Sequence, residues 1–324
     1  MKDLHELPRV KDSLSYLYIE HAKIRQDGHS IAIYNKEGIT PVPCAPLSII
    51  MLGPGTNITH SAINNIVKND CLILWCGEEG VRFYAEGLGR TRSAKNVIRQ
   101  ALLCSTPKFR LLVAKKMYIL RFKEPLSLDI TIKQLRGKEG ARVKMVYQNN
   151  STRTGVEWKG RSYKKNSWFA SDPINRAISS ANSCLYGMCH AAIVALGYSP
   201  ALGFIHTGKQ LSFVYDIADL YKSEITVPLA FDIVKEGAKE ISRRVRIACR
   251  EQFHKSQLLK QVVDDIKTVL DIKEYLNSSE KSLLDTSKLI LKDYDSDDAL
   301  PGYLWDPDEG FQDGGVNFND DPKK

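Results

Sequence analysis

No apolar run in this 324-residue chain approaches the roughly 20 residues needed to cross a bilayer, which argues against a membrane-spanning role. A secretory signal is also missing from the polar opening MKDLHELPRVKD, so the expected location is cytoplasmic. Cysteine is scarce and odd in number, with seven at 44, 71, 76, 104, 184, 189 and 249. Most sit in apolar company such as CLILWC and SCLYGMC, which predicts reduced, mainly buried thiols rather than a disulfide framework. Cys184, Cys189 and His190 fit no zinc-finger or ribbon spacing, and no fourth ligand is evident. No internal repeat is visible.

What is present is a soluble globular composition, 43% hydrophobic and 26% charged, on a chain long enough for one large or two ordinary domains. The net charge of +8 is unevenly spread. Residues 293–324 hold ten acids against two lysines, a net of −8, so residues 1–292 carry +16. A body that basic implies an anionic partner, most often nucleic acid. The acidic end reads as a solvated segment.

Residues 9–84 read as short strands: SLSYLYIEHAKIR alternates, SIAIYN follows Gly28, PLSIIML ends at Gly53-Pro54-Gly55, and CLILWC and VRFYAE follow. One helix opens at Thr59. The character changes around Glu86–Gly89. From Ser93 the apolar spacing is helical, in SAKNVIRQALLC, PKFRLLVAKKMYILRF and SLDITIKQLRGKEGARVKMVYQNN. A long segment follows Asp172-Pro173, apolar on most sides and expected to be a central buried helix with an Asp cap. The resulting expectation is an α+β chain with a β-rich domain at 1–88, a larger all-α domain at 89–292, and an acidic, largely disordered tail at 293–324.

Three places offer metal or acid–base chemistry. In GFIHTGKQLSFVYDIADLYK (203–222), Asp216 and Asp219 stand three apart, on one side of a helix, in apolar company. Two acids there are costly to bury unless a cation receives them, and a hard divalent ion is the usual recipient. The plain alternative is a helix cap at Asp216 and a solvated Asp219. His206 precedes them in a run of strand-to-turn character, where a satisfied core histidine is the alternative. Glu139 lies between Gly137 and Gly140 in a helix, where each glycine costs about 1 kcal/mol. That cost makes sense if a substrate or facing helix must come close; otherwise Glu139 is an exposed acid on a basic helix.

The motifs QLRGKEGARVK, SCLYG and ALGFIHTGKQLSFVYDIADL, in that order, resemble the CRISPR-associated integrase that captures new spacers, most nearly its subtype I-E form. The likeness extends from about Lys11, through IIMLGPGT and GEEGVRFYA, to roughly residue 255. The resemblance implies a small N-terminal β domain, a helical catalytic domain, and a homodimer. Two such dimers would be bridged by a small ferredoxin-like adaptation subunit into a heterohexamer on double-stranded DNA. It places the metal ligands at Glu139, His206 and Asp219, with Asp216 a nearby acid needed for activity, and implies Mg²⁺ or Mn²⁺. An imidazole among oxygen ligands suits Mn²⁺. The implied reaction is attack by the 3′-hydroxyl of a short foreign DNA fragment on a phosphodiester at the leader–repeat junction of a CRISPR array.

The same resemblance implies DNA contacts at Arg82, Lys209, Tyr163, Tyr186 and Tyr215. It places His21 where the best-known members carry a duplex-splitting tyrosine. An imidazole stacks with less area, and Tyr18 is close enough to share the task. Two basic groups read as phosphate-tracking surfaces: the stripe at 90, 92, 95, 99, 110, 115, 116 and 121, and Arg243, Arg244, Arg246 and Arg250 on one helix. Tyr303-Leu304-Trp305 or Phe311 would anchor tail docking. Two other classes stay open, a non-catalytic DNA-binding scaffold and a metal-dependent hydrolase of another phosphoester.

Overall fold

In the computed structural model the described residues are 16–28, 30–44, 47, 49–69, 71–78, 83–87, 94–124, 130–161, 172–289, 304–306 and 310–312. Arg82 and Tyr163, and with them Arg90 and Arg92 of the basic stripe, lie outside these.

The expected single strand SLSYLYIEHAKIR is two strands in two sheets: β1 (Tyr16–Ile19) and β2 (Lys23–Asp27). The break comes at His21, a non-glycine residue with φ +49°, which turns the chain out of the first sheet. The strands β3 (Ser30–Asn35) and β4 (Gly38–Pro43) extend β2 as an antiparallel meander, completed by the short parallel β6 (Asn57–Ile58). The other sheet runs β1, β5 (Ile49–Leu52), β7 (Leu72–Cys76), β8 (Phe83–Glu86), with only β8 antiparallel.

The continuous apolar runs of β5 and β7 follow from burial on both faces. Ile50, Leu52 and Ile73 face one core with Ile24, Ile31 and Ile66, the last from helix α1 (His60–Lys68), which Thr59 caps. Alternate residues Ile49, Met51, Leu72 and Leu74 point the other way and pack on Ala191 of the helical part. Period-two alternation thus docks the β-rich part onto the helices.

The helical part comprises α2 (Lys95–Ser105), α3 (Pro107–Phe122), α4 (Ile132–Thr154), α5 (Pro173–Ala195), α6 (Ser212–Ala218), α7 (Val227–Lys235), α8 (Ile241–Lys255), α9 (Leu258–Leu270) and α10 (Ser278–Leu289). As the sequence predicts, α5 is the central helix: Asp172 caps it by accepting from the Asn175 N–H, and most of its residues are buried. Helices α6 to α9 pack around it. Helix α4 passes unbroken through Gly137 and Gly140, closed by a Thr131–Gln134 capping box and a left-handed Gly155. A Cβ at either glycine would meet nothing within 4 Å, so no facing helix among the described residues accounts for them.

In the acidic tail, which the sequence predicts to be largely disordered, Leu304–Asp306 and Gly310–Gln312 pair antiparallel with Trp305 opposite Phe311. Tyr303 lies outside the described residues. All seven cysteines are free, with six buried and Cys104 partly so. No helix among the described residues is long and apolar enough to cross a membrane.

Candidate active site

The stretch from Gly203 to His206 forms irregular turns rather than a strand. Three side chains from α2 and α3 hold it and the loop before it. Asn96 donates to the Leu196 carbonyl, buried Gln100 bonds both Ser199 and the Leu202 carbonyl, and Arg110 donates to the Phe204 carbonyl at 2.9 Å. With the carbonyls so held, three successive backbone N–H groups converge on one carboxylate. Asp216 accepts from Phe204, Ile205 and His206 at 2.6, 3.1 and 2.8 Å, and its Oδ1 meets His206 Nδ1 at 2.7 Å.

Asp216 is therefore neither a helix cap nor an open acid: Leu211 occupies the N-cap position of α6, and the Asp216 side chain is fully buried. The hydrogen bond to Asp216 raises the pKa of His206 against the opposing effect of burial, with the Asp216 and Asp219 charges adding to the rise. The imidazole itself is half exposed in a cleft, not a core histidine, and presents Nε2 as its uncommitted nitrogen.

Asp219 closes α6 and serves different partners. Its Oδ1 is 2.6 Å from Lys222 Nζ and its Oδ2 is 3.5 Å from Arg121 Nη1. The same Arg121 nitrogen contacts Glu139 Oε1, while the other Glu139 oxygen accepts from Tyr118 at 3.1 Å. Burial, reinforced by Glu139, pushes the Tyr118 hydroxyl up to about 12, so it stays a donor. Glu139 and Asp219, 80 positions apart in sequence, thus converge on one guanidinium. The Lys222 charge is opposed by burial, but Asp219 and Tyr186 outweigh it and its pKa is raised. Among the described residues no three His, Cys, Asp or Glu side chains are gathered closely enough to hold an ion: neither the expected ligands Glu139, His206 and Asp219 nor Cys184, Cys189 and His190 are so grouped.

A cleft of about 990 Å³ opens beside this region, lined by His206, Lys209, Tyr215, Tyr186, Lys222 and Arg246 from the helical part and by Pro54, Glu78 and Tyr84 from the β-rich part; Glu139, Asp219 and Arg121 are not in its lining. The rings and cations form a ladder. Lys222 lies 4.8 Å from the Tyr186 ring centre, Tyr186 meets Tyr215 edge-on at 5.0 Å, and Lys209 lies 6.0 Å from the Tyr215 ring. Lys222 went unnoticed in the sequence because a lysine after an acid is ordinary; what places it here is a π-helical turn over Lys222–Thr226 directly after α6.

The expected basic stripe is largely spent on the fold. Arg99 binds the Leu270 carbonyl and Asp271, Arg110 the Phe204 carbonyl, Lys116 the Asp271 carbonyl and Glu274, and Arg121 the two site carboxylates. These four side chains face the protein, not a solvated groove. On α8, Arg243 pairs with Glu240 at the helix's own N-cap and Arg244 with Glu236 at the end of α7. Arg246 alone of these lines the cleft; it reaches Glu78 at 2.6 Å and leaves its Nε buried with no partner. Arg250 lines a separate, mainly apolar cavity of about 320 Å³ with Tyr16, Tyr18 and Phe253.

His21 is exposed on its turn, its ring close over Gly55. A side chain at Gly55 would meet the imidazole at 2.5 Å, and its φ of +71° also favours glycine. Tyr18 packs two positions along the same turn, at Gly53, and is half-buried. Its hydroxyl donates to Glu20 at 2.7 Å and its ring packs into the space at Gly53, so His21 is the more exposed of the two.

A family model described as CRISPR associated protein Cas1 matches residues 15–124 and 118–243. A curated relative from Thermus thermophilus, CRISPR-associated endonuclease Cas1 2, is 47% identical over 322 residues, covering 99% of this chain and 95% of the relative. The Escherichia coli K12 CRISPR-associated endonuclease Cas1 is 43% identical over 269 residues, 82% of this chain and 88% of the relative. Among solved structures, a TtCas1–DNA complex superposes with TM-score 0.74 at 50% identity, covering 82% of this chain and 99% of that one. A Thermotoga maritima CAS1 protein superposes at TM-score 0.56 and 17% identity, a likeness of fold.

Proposed function

This chain belongs to the CRISPR-associated Cas1 family, and from that premise we propose that it is the DNA endonuclease and integrase of spacer capture, joining short foreign DNA fragments to a CRISPR array at its leader–repeat junction. The observation that carries the site assignment is the convergence of Glu139 and Asp219 on one cationic point beside a cleft that also presents His206.

That point suits a divalent ion. Two carboxylates already share one positive charge there, and Asp216 ties up Nδ1 of His206 so that Nε2 remains to coordinate. Glu139, Asp219 and His206 would hold Mg²⁺ or Mn²⁺, the oxygen–imidazole set favouring the latter. Such an ion, when bound, polarises the scissile phosphate and lowers the pKa of the attacking 3′-hydroxyl.

The chain's own residues do the rest. Asp216, itself locked by three backbone N–H groups, fixes the ring plane of His206. Lys209 and Lys222 set positive charge along the cleft, where charge grows on the phosphoryl oxygens during attack. The Tyr186 and Tyr215 rings offer stacking faces for unpaired bases at a DNA end. Arg246 supplies a guanidinium on the β-rich side, and exposed His21 would meet the duplex terminus. The protein would act in the cytoplasm as a homodimer, two dimers being bridged by a small ferredoxin-like subunit. No scaffold role needs two partly buried carboxylates aimed at one point.

The test is half-site integration of a labelled fragment into leader–repeat DNA, with the partner subunit and Mn²⁺, beside His206→Ala and Asp219→Ala. Both variants are expected to keep DNA binding and lose strand transfer. Strand-transfer product persisting in either refutes the assigned ligands.

A further inference from the structure

Four charged groups meet at the site, and their formal charges cancel. Glu139 and Asp219 contribute two negative charges, Arg121 and Lys222 two positive ones. The four side chains are between 10% and 22% exposed, so water screens them weakly. Arg121 is the member held on both carboxylates at once, and Lys222 takes the Asp219 oxygen that Arg121 leaves free. An arriving divalent ion thus finds its two carboxylates neutralised and two cations within contact distance. It would have to expel the guanidinium, leaving a local charge of +1, or bind beside it and raise the local charge to +2.

Building on the metal-site reading above, we propose that Arg121 is a resident counter-cation that keeps the Glu139–Asp219 pair closed to metal until DNA enters. Of the four groups Lys222 lines the cleft, and a phosphodiester drawn in past it brings the missing negative charge and a second acceptor for the guanidinium, whose fork binds phosphate as well as carboxylate. Metal and DNA therefore bind cooperatively, and because linkage is reciprocal, metal tightens DNA binding by the same factor. The free protein is spared an armed metal centre with no substrate beside it. Lys222 contributes charge but, of the two carboxylates, meets only Asp219; the switch lies in Arg121, the side chain common to both.

The experiment titrates Mn²⁺ into the whole protein and follows free Mn²⁺ by electron paramagnetic resonance. Wild type, Arg121→Gln and Asp219→Ala are compared without DNA, and wild type and Asp219→Ala also with a short duplex carrying 3′ overhangs. Binding that Asp219→Ala abolishes is counted as site binding, which removes ions held by the DNA itself. Site affinity in DNA-free wild type is expected to be at least about ten-fold weaker than in Arg121→Gln and than in DNA-bound wild type. Equal affinity in all three overturns the role of Arg121 while leaving the metal site intact. Absence of any Asp219-dependent binding overturns the metal site and the proposal with it. If Arg121→Gln does not fold, as its thermal melt will show, the comparison of wild type with and without DNA decides alone.

Discussion

The Oδ1 of Asp216 lies 2.7 Å from Nδ1 of His206 and also accepts that residue's own backbone N–H at 2.8 Å, so one buried carboxylate fixes both the main chain and the ring of the histidine. Asp216→Asn keeps the shape but turns an NH₂ toward groups that all donate. It is expected to lower stability by about 2–3 kcal/mol, because a buried carboxylate with charged hydrogen bonds is lost. Strand transfer should fall further than DNA affinity, since the ring loses its orientation. Chemical denaturation and filter binding, run in parallel, check both.

His206 also gives a pH signature. Its pKa is raised in the folded state by the hydrogen bond to Asp216, so the native protein binds this proton more tightly than the unfolded chain. The stabilisation is fully present below the unfolded value near 6.5 and is lost as pH rises through the folded value. In Asp216→Asn the imidazole pKa, followed by NMR, should drop toward about 6.5 and this pH dependence should vanish. An unchanged pKa would mean that Asp216 does not set it.

His190 titrates in the opposite sense. It is buried on α5 with its ring stacked on Phe83 at 3.7 Å, and burial holds its pKa down at about 4. Glu86 stands 3.9 Å away but does not overcome that burial, so the histidine is neutral at pH 7. Here the unfolded state binds the proton more tightly. Stability is lost as pH falls from about 6.5 toward 4, by roughly 3 kcal/mol at most. Because the contact joins β8 to α5, melting curves of His190→Gln should be flatter over this range than those of wild type.

Gly203 has no room for a methyl group. A Cβ there would lie 2.4 Å from the His206 carbonyl oxygen and 2.9 Å from the Ser212 backbone carbon. Since backbone must move, Gly203→Ala is expected to cost about 1–3 kcal/mol and to displace the His206 turn. A loss of integration with wild-type DNA affinity would report that displacement.

The basic residues divide by partner rather than by position in sequence. Arg99→Ala and Arg110→Ala should lower thermal stability and leave the salt dependence of DNA binding unchanged, because these side chains bind carbonyls and an acid. Lys209→Ala should leave stability alone and reduce the slope of log affinity against log salt by about 1. A lowered slope in Arg110→Ala would return that residue to the DNA surface.

Local regularities were legible because they depend on near neighbours. Thr59 and Asp172 cap helices where their side chains predict, and the apolar run of β7 is buried on both faces as its composition demands. The catalytic motifs were readable as strings, and the change from strand to helix near residue 88 follows from a change of period. What the string could not carry is which charge meets which. Arg121 looks like one more member of a basic face, yet it is the ion on which Glu139 and Asp219 converge, and Asp216 and Asp219, three residues apart, serve unrelated partners. Periodicity places a side chain on a face of its own helix. Electrostatic partnership is decided by how α3, α4 and α6 pack, since buried opposite charges pair with whatever the tertiary fold brings within a few ångströms.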